Sequence, residues 1–320
     1  MLVSVIVPAC AAEATIGRCV ASLLAQTYPR WEAIIVADDG RDYAALLAGI
    51  GIADPRLRFV STGAVHSGCH HARNVGLAAA GGKIVAQLDA DDCYAPDRLA
   101  ALTPLAAAHG AVVDRVAVVS DTDGGVLYTA PSCGPSALRL SAEALLDLGV
   151  PLFPVLRRPF AAPRLAGVEY AEDVIANLRL IEELGPLPVF PRVFYQYHVA
   201  PGSLCHSENS GPRFEAAYSA YLARLRSGDG FGLVGTRAAA LRGFARKRAV
   251  NRLFIDAQRR RPGLTFQHFM ARHRGSVSRA LAAPAWPRPA VATAPDPPRS
   301  GRAACGPLLR GRPFSLPPRA

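Results

Sequence analysis

The chain of 320 residues lacks long apolar runs. No stretch approaches the roughly 18 uninterrupted apolar residues of a membrane span. The amino-terminal run Met1-Leu-Val-Ser-Val-Ile-Val-Pro8 has no basic leader and is closed by its proline, unlike a signal peptide. A cytoplasmic protein, soluble or peripheral at the inner membrane face, is therefore expected. Cysteine is sparse: the seven, at positions 10, 19, 69, 93, 133, 205 and 305, form no C-x-x-C pair. That excludes a disulfide-stapled secreted domain and leaves reduced thiols filling the core. No glycine-rich loop with a lysine follows the first apolar segment, which disfavours nucleotidyl transfer from a triphosphate. Acidic residues are scarce in the back third: residues 213–320 hold 21 Arg/Lys against 4 Asp/Glu, a net of +17, whereas residues 1–212 hold 15 against 21, a net of −6. Without aromatic interleaving or a nucleic-acid-binding motif, no nucleic-acid partner is expected; the basic end suits an anionic surface or is simply solvated.

What is present is a chain half hydrophobic, long enough for a sizeable core. Residues 2–7 read as a strand covered on both faces, and Ile16, Val20, Leu23 and Leu24 mark one face of a helix that Tyr28-Pro29 ends. A second strand, Trp31 to Ala37, runs into Asp38-Asp39-Gly40. Acidic residues thus stand at a strand's carboxyl end, where open α/β sheets bind ligands. A helix near 42–49, a strand at 57–60 and a glycine-bounded helix start at Ser67 to Leu77 follow. The amino-terminal N–H groups of that last helix, with Arg73, suit a phosphate. The apolar run Ile84 to Leu88 then ends in Asp89, Asp91 and Asp92. If extended, Asp89 and Asp91 share a face, where about 4 kcal/mol of repulsion calls for a hard divalent cation or a shifted pKa; a solvated acidic turn needs neither.

Further on, strand signals lie at 112–119 and from Val193, a short helix at 141–148, and 151–163 reads as a loop. Glu172 and Asp173 open a helix whose apolar positions are Val174, Ile175, Leu178 and Ile181. An acidic first turn is favourable in any helix. Residues 212–274 are helical and basic, with Arg246-Lys-Arg248 and Arg259-Arg-Arg261 either facing an anionic lipid surface or solvated. Beyond 275, the abundance of Pro, Arg, Ala and Gly predicts disorder.

Taken in order, Val3-Ser-Val-Ile-Val-Pro8, Ile35-Val-Ala-Asp-Asp-Gly40, Ala72-Arg-Asn-Val-Gly76, Gly82-Lys-Ile-Val85 and Leu88-Asp-Ala-Asp-Asp92 with Pro96-Asp-Arg-Leu99 resemble the family 2 glycosyltransferases over about the first hundred residues. The resemblance implies an α/β fold of GT-A type: a nucleotide-binding sheet flanked by helices in residues 1–110 and an acceptor-binding half in 111–211. A basic helical extension (212–274) and a disordered tail (275–320) would follow. It implies an inverting transfer from a nucleotide diphosphate sugar, a UDP-sugar foremost, to a glycan or lipid-linked acceptor, with Mn²⁺ or Mg²⁺. Carried over by position, Pro8, Ala9, Glu13, Asp38, Asp39, Arg73 and Asp89 would contact the nucleotide sugar. Asp91, with Asp89 and His206, would hold the metal, and His198 is a lesser candidate ligand. Asp173 would be the base, with Glu172 second. Family members usually have Ser where this chain has Arg41. Gln258-Arg-Arg-Arg-Pro262 lacks the tryptophan of the processive synthases, which argues against polymerisation. The alternative is a non-catalytic nucleotide-sugar-binding relative anchored by its basic end.

Overall fold

The β-branched amino-terminal run forms β1 (Val3–Ala9), and α1 (Ile16–Leu24) returns the chain to β2 (Trp31–Ala37). Then follow α2 (Tyr43–Gly49), β3 (Leu57–Ser61), α3 (Cys69–Ala79) and β4 (Ile84–Gln87). After β5 (Cys93–Tyr94) and α4 (Arg98–His109) come β6 (Ala111–Ser120), β7 (Val126–Ala130) and β8 (Leu138–Leu140). The rest is α5 (Ala142–Leu146), β9 (Val155–Arg157), α6 (Glu172–Leu184), β10 (Leu187–Val199), α7 (Ser210–Ser227), α8 (Arg237–Arg260) and α9 (Phe266–Arg272). The computed structural model describes residues 1–131, 138–168, 170–200, 209–273 and 277. His206 and, apart from Val277, the tail expected to be disordered lie outside them.

The strands form a mixed sheet in the order β3-β2-β1-β4-β9-β6-β10-β5. Its first four strands are parallel, with Val3 to Ala9 opposite Trp31 to Ala37 and Val3 to Ile6 opposite Ile84 to Gln87. The carboxyl ends of β1, β2 and β4 therefore lie side by side, so the segments after Ala9, Ala37 and Gln87 emerge at one edge. Helices cover both faces, as expected of buried parallel strands. On one face α3 packs on Ile6, Ile34, Val36 and Val85. Gly76 permits that approach: a Cβ there would meet Ile6 Cγ2 at 2.5 Å. On the other face a continuous core runs from Val3 on β1 to Phe244 on α8.

Two local expectations change. Residues 151–163 are not loop throughout, because β9 lies within them and bridges β4 to β6. The three residues of β9, set between Pro154 and Pro159, are too few to show a period-two pattern. The strand expected from Val193 begins at Leu187, and its register on β6 shifts between Val189 and Tyr195, which breaks the alternation. The basic run of α8 is also only partly outward. Arg246 pairs with Asp147 at 2.6 Å and Arg248 with Glu215 at 2.7 Å, while Lys247 turns inward and donates to the Leu148 carbonyl at 2.6 Å.

Candidate active site

The chain leaving β2 is fixed by its own carboxylates. Asp38, 3% exposed, accepts from Thr62 Oγ1 at 2.9 Å, Ser67 N at 3.1 Å, Gly68 N at 2.9 Å and the Ser67 hydroxyl. Burial opposes its charge, but these donors hold the Asp38 carboxyl below its ordinary range. It thereby ties the loop before α3 to β2. Asp39 accepts from Ala11 N at 2.6 Å, Tyr43 Oη at 2.8 Å and Arg41 N at 3.1 Å, joining the loops after β1 and β2. Glu13 pairs with Arg41 at 2.6 Å, so the residue standing where Ser is usual meets the first loop. Pro8 lies within β1 opposite Val36, and Ala9 is buried at its end.

After β4 the three aspartates separate. Asp92 is fully buried and accepts from Tyr195 Oη at 2.7 Å and His198 N at 2.8 Å, so it is a strut to β10. Asp89 pairs with Arg73 at 2.5 Å. The Asp91 carboxyl is pushed up to about 6 by burial and by the neighbouring Asp89 charge. Its backbone oxygen accepts from Arg18 at 3.1 and 2.6 Å, and Arg18 in turn pairs with Asp121 at 2.8 Å. His198 Nδ1 lies 2.7 Å from Asp121. Burial lowers the His198 pKa, while the hydrogen bond and charge of Asp121 work to raise it.

A single guanidinium joins this end of the sheet to α6. Arg73, 5% exposed, pairs with Asp89 through Nη2 and with Glu172 through Nη1. Burial works against its charge, but Asp89 keeps the Arg73 pKa raised. Glu172 and Asp173 are 6% and 9% exposed, in the first turn of α6. Ala171 before them has φ +52°, a left-handed conformation costing a non-glycine residue roughly 1–2 kcal/mol. Such strain marks functional turns. Asp173 Oδ2 accepts from Leu152 N at 3.2 Å, and Asn177 one turn later donates to Leu152 O at 2.9 Å. Burial raises the Asp173 pKa, while the charges of Arg164, Lys247 and Arg73 restrain the shift.

The sheet edge and the start of α6 thus bring Asp89, Asp91, Arg73, Glu172 and Asp173 together, while Asp38 and Asp39 fix the neighbouring loops. Among the described residues no group of three or more His, Cys, Asp or Glu side chains could hold a metal by itself. The donor chemistry still suits a hard cation, since two adjacent carboxylates with a raised Asp91 pKa are the partial oxygen shell that Mg²⁺ or Mn²⁺ completes with phosphates and water.

Sequence reasoning gave no role to Arg18, Asp121, Arg98 or Asn177. Arg98 is fully buried, forks onto Asp114 at 3.0 and 2.8 Å and donates to Phe153 O at 2.8 Å, anchoring the segment before β9. Its place in Pro96-Asp-Arg-Leu99 was a signal, as was the four-residue spacing of Asp173 and Asn177. Arg18 and Asp121 are 103 positions apart, and nothing local links them.

Comparison with known proteins agrees with this architecture. Residues 4–144 match the family model described as Glycosyl transferase family 2. The succinoglycan biosynthesis protein ExoO of Rhizobium meliloti (strain 1021) is 32% identical over 207 residues, which are 59% of this chain and 58% of that protein. An Escherichia coli protein named UDP-Glc:alpha-D-GlcNAc-diphosphoundecaprenol beta-1,3-glucosyltransferase WfgD is 36% identical over 98 residues, 31% of this chain and 38% of that protein. The matches therefore span less than two thirds of either relative. Among solved structures, S. aureus TarS 1-349 in complex with UDP-GlcNAc aligns with a TM-score of 0.58 and 17% identity, covering 88% of this chain and 82% of that one. The Pyrobaculum calidifontis mannosyltransferase PcManGT in complex with GDP-Man and Mn²⁺ aligns with a TM-score of 0.52 and 17% identity, covering 87% and 85%. At such identities the likeness is one of fold, the GT-A type.

Proposed function

Because the chain belongs to glycosyl transferase family 2 through its residues 4–144, we propose that it moves a sugar from a nucleotide diphosphate sugar, a UDP-sugar foremost, to an acceptor hydroxyl with inversion at the sugar carbon. The observation that carries this reading is Arg73. One buried guanidinium grips Asp89 after β4 and Glu172 at the start of α6, so one side chain joins the donor end to the helix turn that carries Asp173.

Asp91 and Asp89 would hold Mn²⁺ or Mg²⁺, whose chemistry when bound is Lewis-acid stabilisation of the departing diphosphate. Asp173 is the better base. Glu172 is committed to Arg73, whereas Asp173 Oδ1 has no hydrogen bond among the described residues. Its raised pKa brings it nearer the working pH, as general-base efficiency requires. Asp173 Oδ1 takes the proton of the acceptor hydroxyl, whose oxygen attacks the sugar carbon from the face opposite the leaving diphosphate. That in-line displacement inverts the centre. The acceptor class we favour is a cell-surface glycan or a lipid-linked sugar.

Calorimetric titration of UDP, GDP and dTDP with and without Mn²⁺ tests the donor side, and turnover of the matching nucleotide sugar tests the chemistry. Asp91→Ala is expected to abolish turnover and Mn²⁺-dependent nucleotide binding. Asp173→Asn is expected to lower turnover by at least about a hundredfold with binding nearly intact. Full turnover in either variant removes that residue's role, and a folded wild type that binds no nucleotide refutes the whole reading.

A further inference from the structure

Behind the carboxylates lies a cavity of about 360 Å³, on the face of the sheet that α3 covers, between α3 and α6. Val85 and Gln87 line it, and Asp89 follows at the same two-residue step, so one face of β4 leads from the cavity towards the site. The volume lies within the range of small-molecule sites.

Three guanidinium groups line the cavity, those of Arg73, Arg164 and Arg179, and they differ in what neutralises them. Arg73 is met by two carboxylates. Arg164 has none among the described residues: its Nη2 donates to Gln87 Oε1 at 2.7 Å, and its Nη1 is buried without a hydrogen bond. Burial and the nearby Arg73 charge pull the Arg164 pKa down to about 10, while the charges of Asp173 and Asp89, neither of them paired with it, work the other way. Arg179, on the wall formed by α6, has no ion pair among the described residues either. Of the carboxylates at the far end, Glu182 is engaged by Val234 N and Thr236 N at 2.7 and 2.8 Å, which leaves Glu183.

Arg164 is also held in place. The Asn74 amide closes on both of its backbone polar groups, with Oδ1 accepting from Arg164 N at 2.6 Å and Nδ2 donating to Arg164 O at 3.0 Å. A guanidinium fixed beforehand binds an anion without an ordering cost. The fork of a guanidinium matches a carboxylate or phosphate, and the apolar walls at Val85, Leu156 and Phe160 suit a carbon body attached to it.

The geometry points to an anion subsite in which a carboxylate or phosphate carried by the acceptor is held by the guanidinium groups of Arg164 and Arg179. Assigning the anion to the acceptor rests on the glycosyltransferase reading; the existence of the subsite does not. The test titrates glucose 1-phosphate, glucuronate and neutral methyl glucoside into the full chain, with and without saturating UDP and Mn²⁺. Wild type is compared with Arg164→Gln, Arg164→Lys and Arg179→Gln, with UDP affinity measured for each and folding checked by thermal melting. One anion is expected to bind at least about tenfold more tightly than the neutral glucoside, a difference that Arg164→Gln or Arg179→Gln removes and Arg164→Lys partly restores, while UDP affinity stays within about twofold. Preference for glucose 1-phosphate assigns a phosphate and preference for glucuronate a carboxylate. No anion preference in the wild type, no change in any folded variant, or displacement of the anion by UDP overturns the subsite. Anion binding without UDP binding removes the glycosyltransferase reading and leaves the subsite standing; UDP binding without anion binding does the reverse.

Discussion

Asp91 is held where a carboxylate is least comfortable. Its folded pKa of about 6 lies above the 3.8 of an ordinary aspartate, so between those values the folded chain binds more protons than the unfolded one. Stability from this group is therefore present below pH 4 and is lost as the pH rises through 6. At pH 7 the loss is on the order of 3 kcal/mol. Asp91→Asn is expected to raise metal-free stability at pH 7 by about that amount and to flatten its pH dependence between about 4 and 6. Urea unfolding in chelator from pH 4 to 8 would show it; unchanged midpoints would mean that the carboxylate is relaxed without a cation. Adding Mn²⁺ should stabilise the wild type and not the variant. The same residue would then weaken the fold and serve the chemistry, the usual sign of a functional carboxylate.

At the scale of elements, α8 is set by its contact with α5. A Cβ on Gly243 would meet Leu146 side-chain atoms at 2.5 and 2.7 Å, so the helices touch almost backbone to side chain. Gly243→Ala is expected to destabilise by about 1–3 kcal/mol through overpacking, despite alanine's better helix propensity. Adding Leu146→Ala should recover part of that loss, and a strictly additive double-mutant cycle would show that the helices do not press on each other there. The contact reaches the site, because α8 carries Lys247, whose pKa burial pulls down to about 8 while the Asp173 charge works to raise it. A shift of α8 should therefore lower turnover more than it weakens nucleotide binding, which steady-state kinetics with direct titration would separate.

For the whole molecule, α7 and the first half of α8 belong to the main core. Tyr218, Tyr221, Leu222, Leu225 and Phe244 are buried in the same cluster as Val3 and Val5. A chain ending at Gly211 is expected to lose its cooperative melt and to bind a hydrophobic dye. A chain ending at Ala280 keeps Val277, which packs with Val250, Phe254, Leu264 and Phe269, and should differ from the full chain by no more than about 0.5 kcal/mol. A cooperative melt of the shorter chain would show instead a separable body. Charge links the two parts as well: Arg242 and Arg246 reach Glu143 and Asp147, so part of the basic excess of the back third offsets the acidic excess of the front. No helix among the described residues is long and apolar enough to cross a membrane.

The parallel half of the sheet was legible because its information is local: β-branched runs such as Val3 to Val7 and Ile84 to Ala86, closed by proline, glycine or aspartate, can be little other than buried strands. The carboxylates at their ends were legible for the same reason, since aspartates directly after an apolar strand carry their position in their neighbours. What each carboxylate does there belongs to tertiary structure. Asp92 looks equivalent to Asp91 in the chain and is a buried strut because Tyr195 and His198, more than a hundred residues away, fold onto it. Glu172 and Asp173 differ in their contacts because Arg73 reaches one and Leu152 the other. Arg164 has no pattern around it at all; its significance arises where Asn74, Gln87 and α6 enclose a space. Backbone periodicity is set by adjacent residues and can be read from them, whereas the environment of a charge is the sum of everything folded around it.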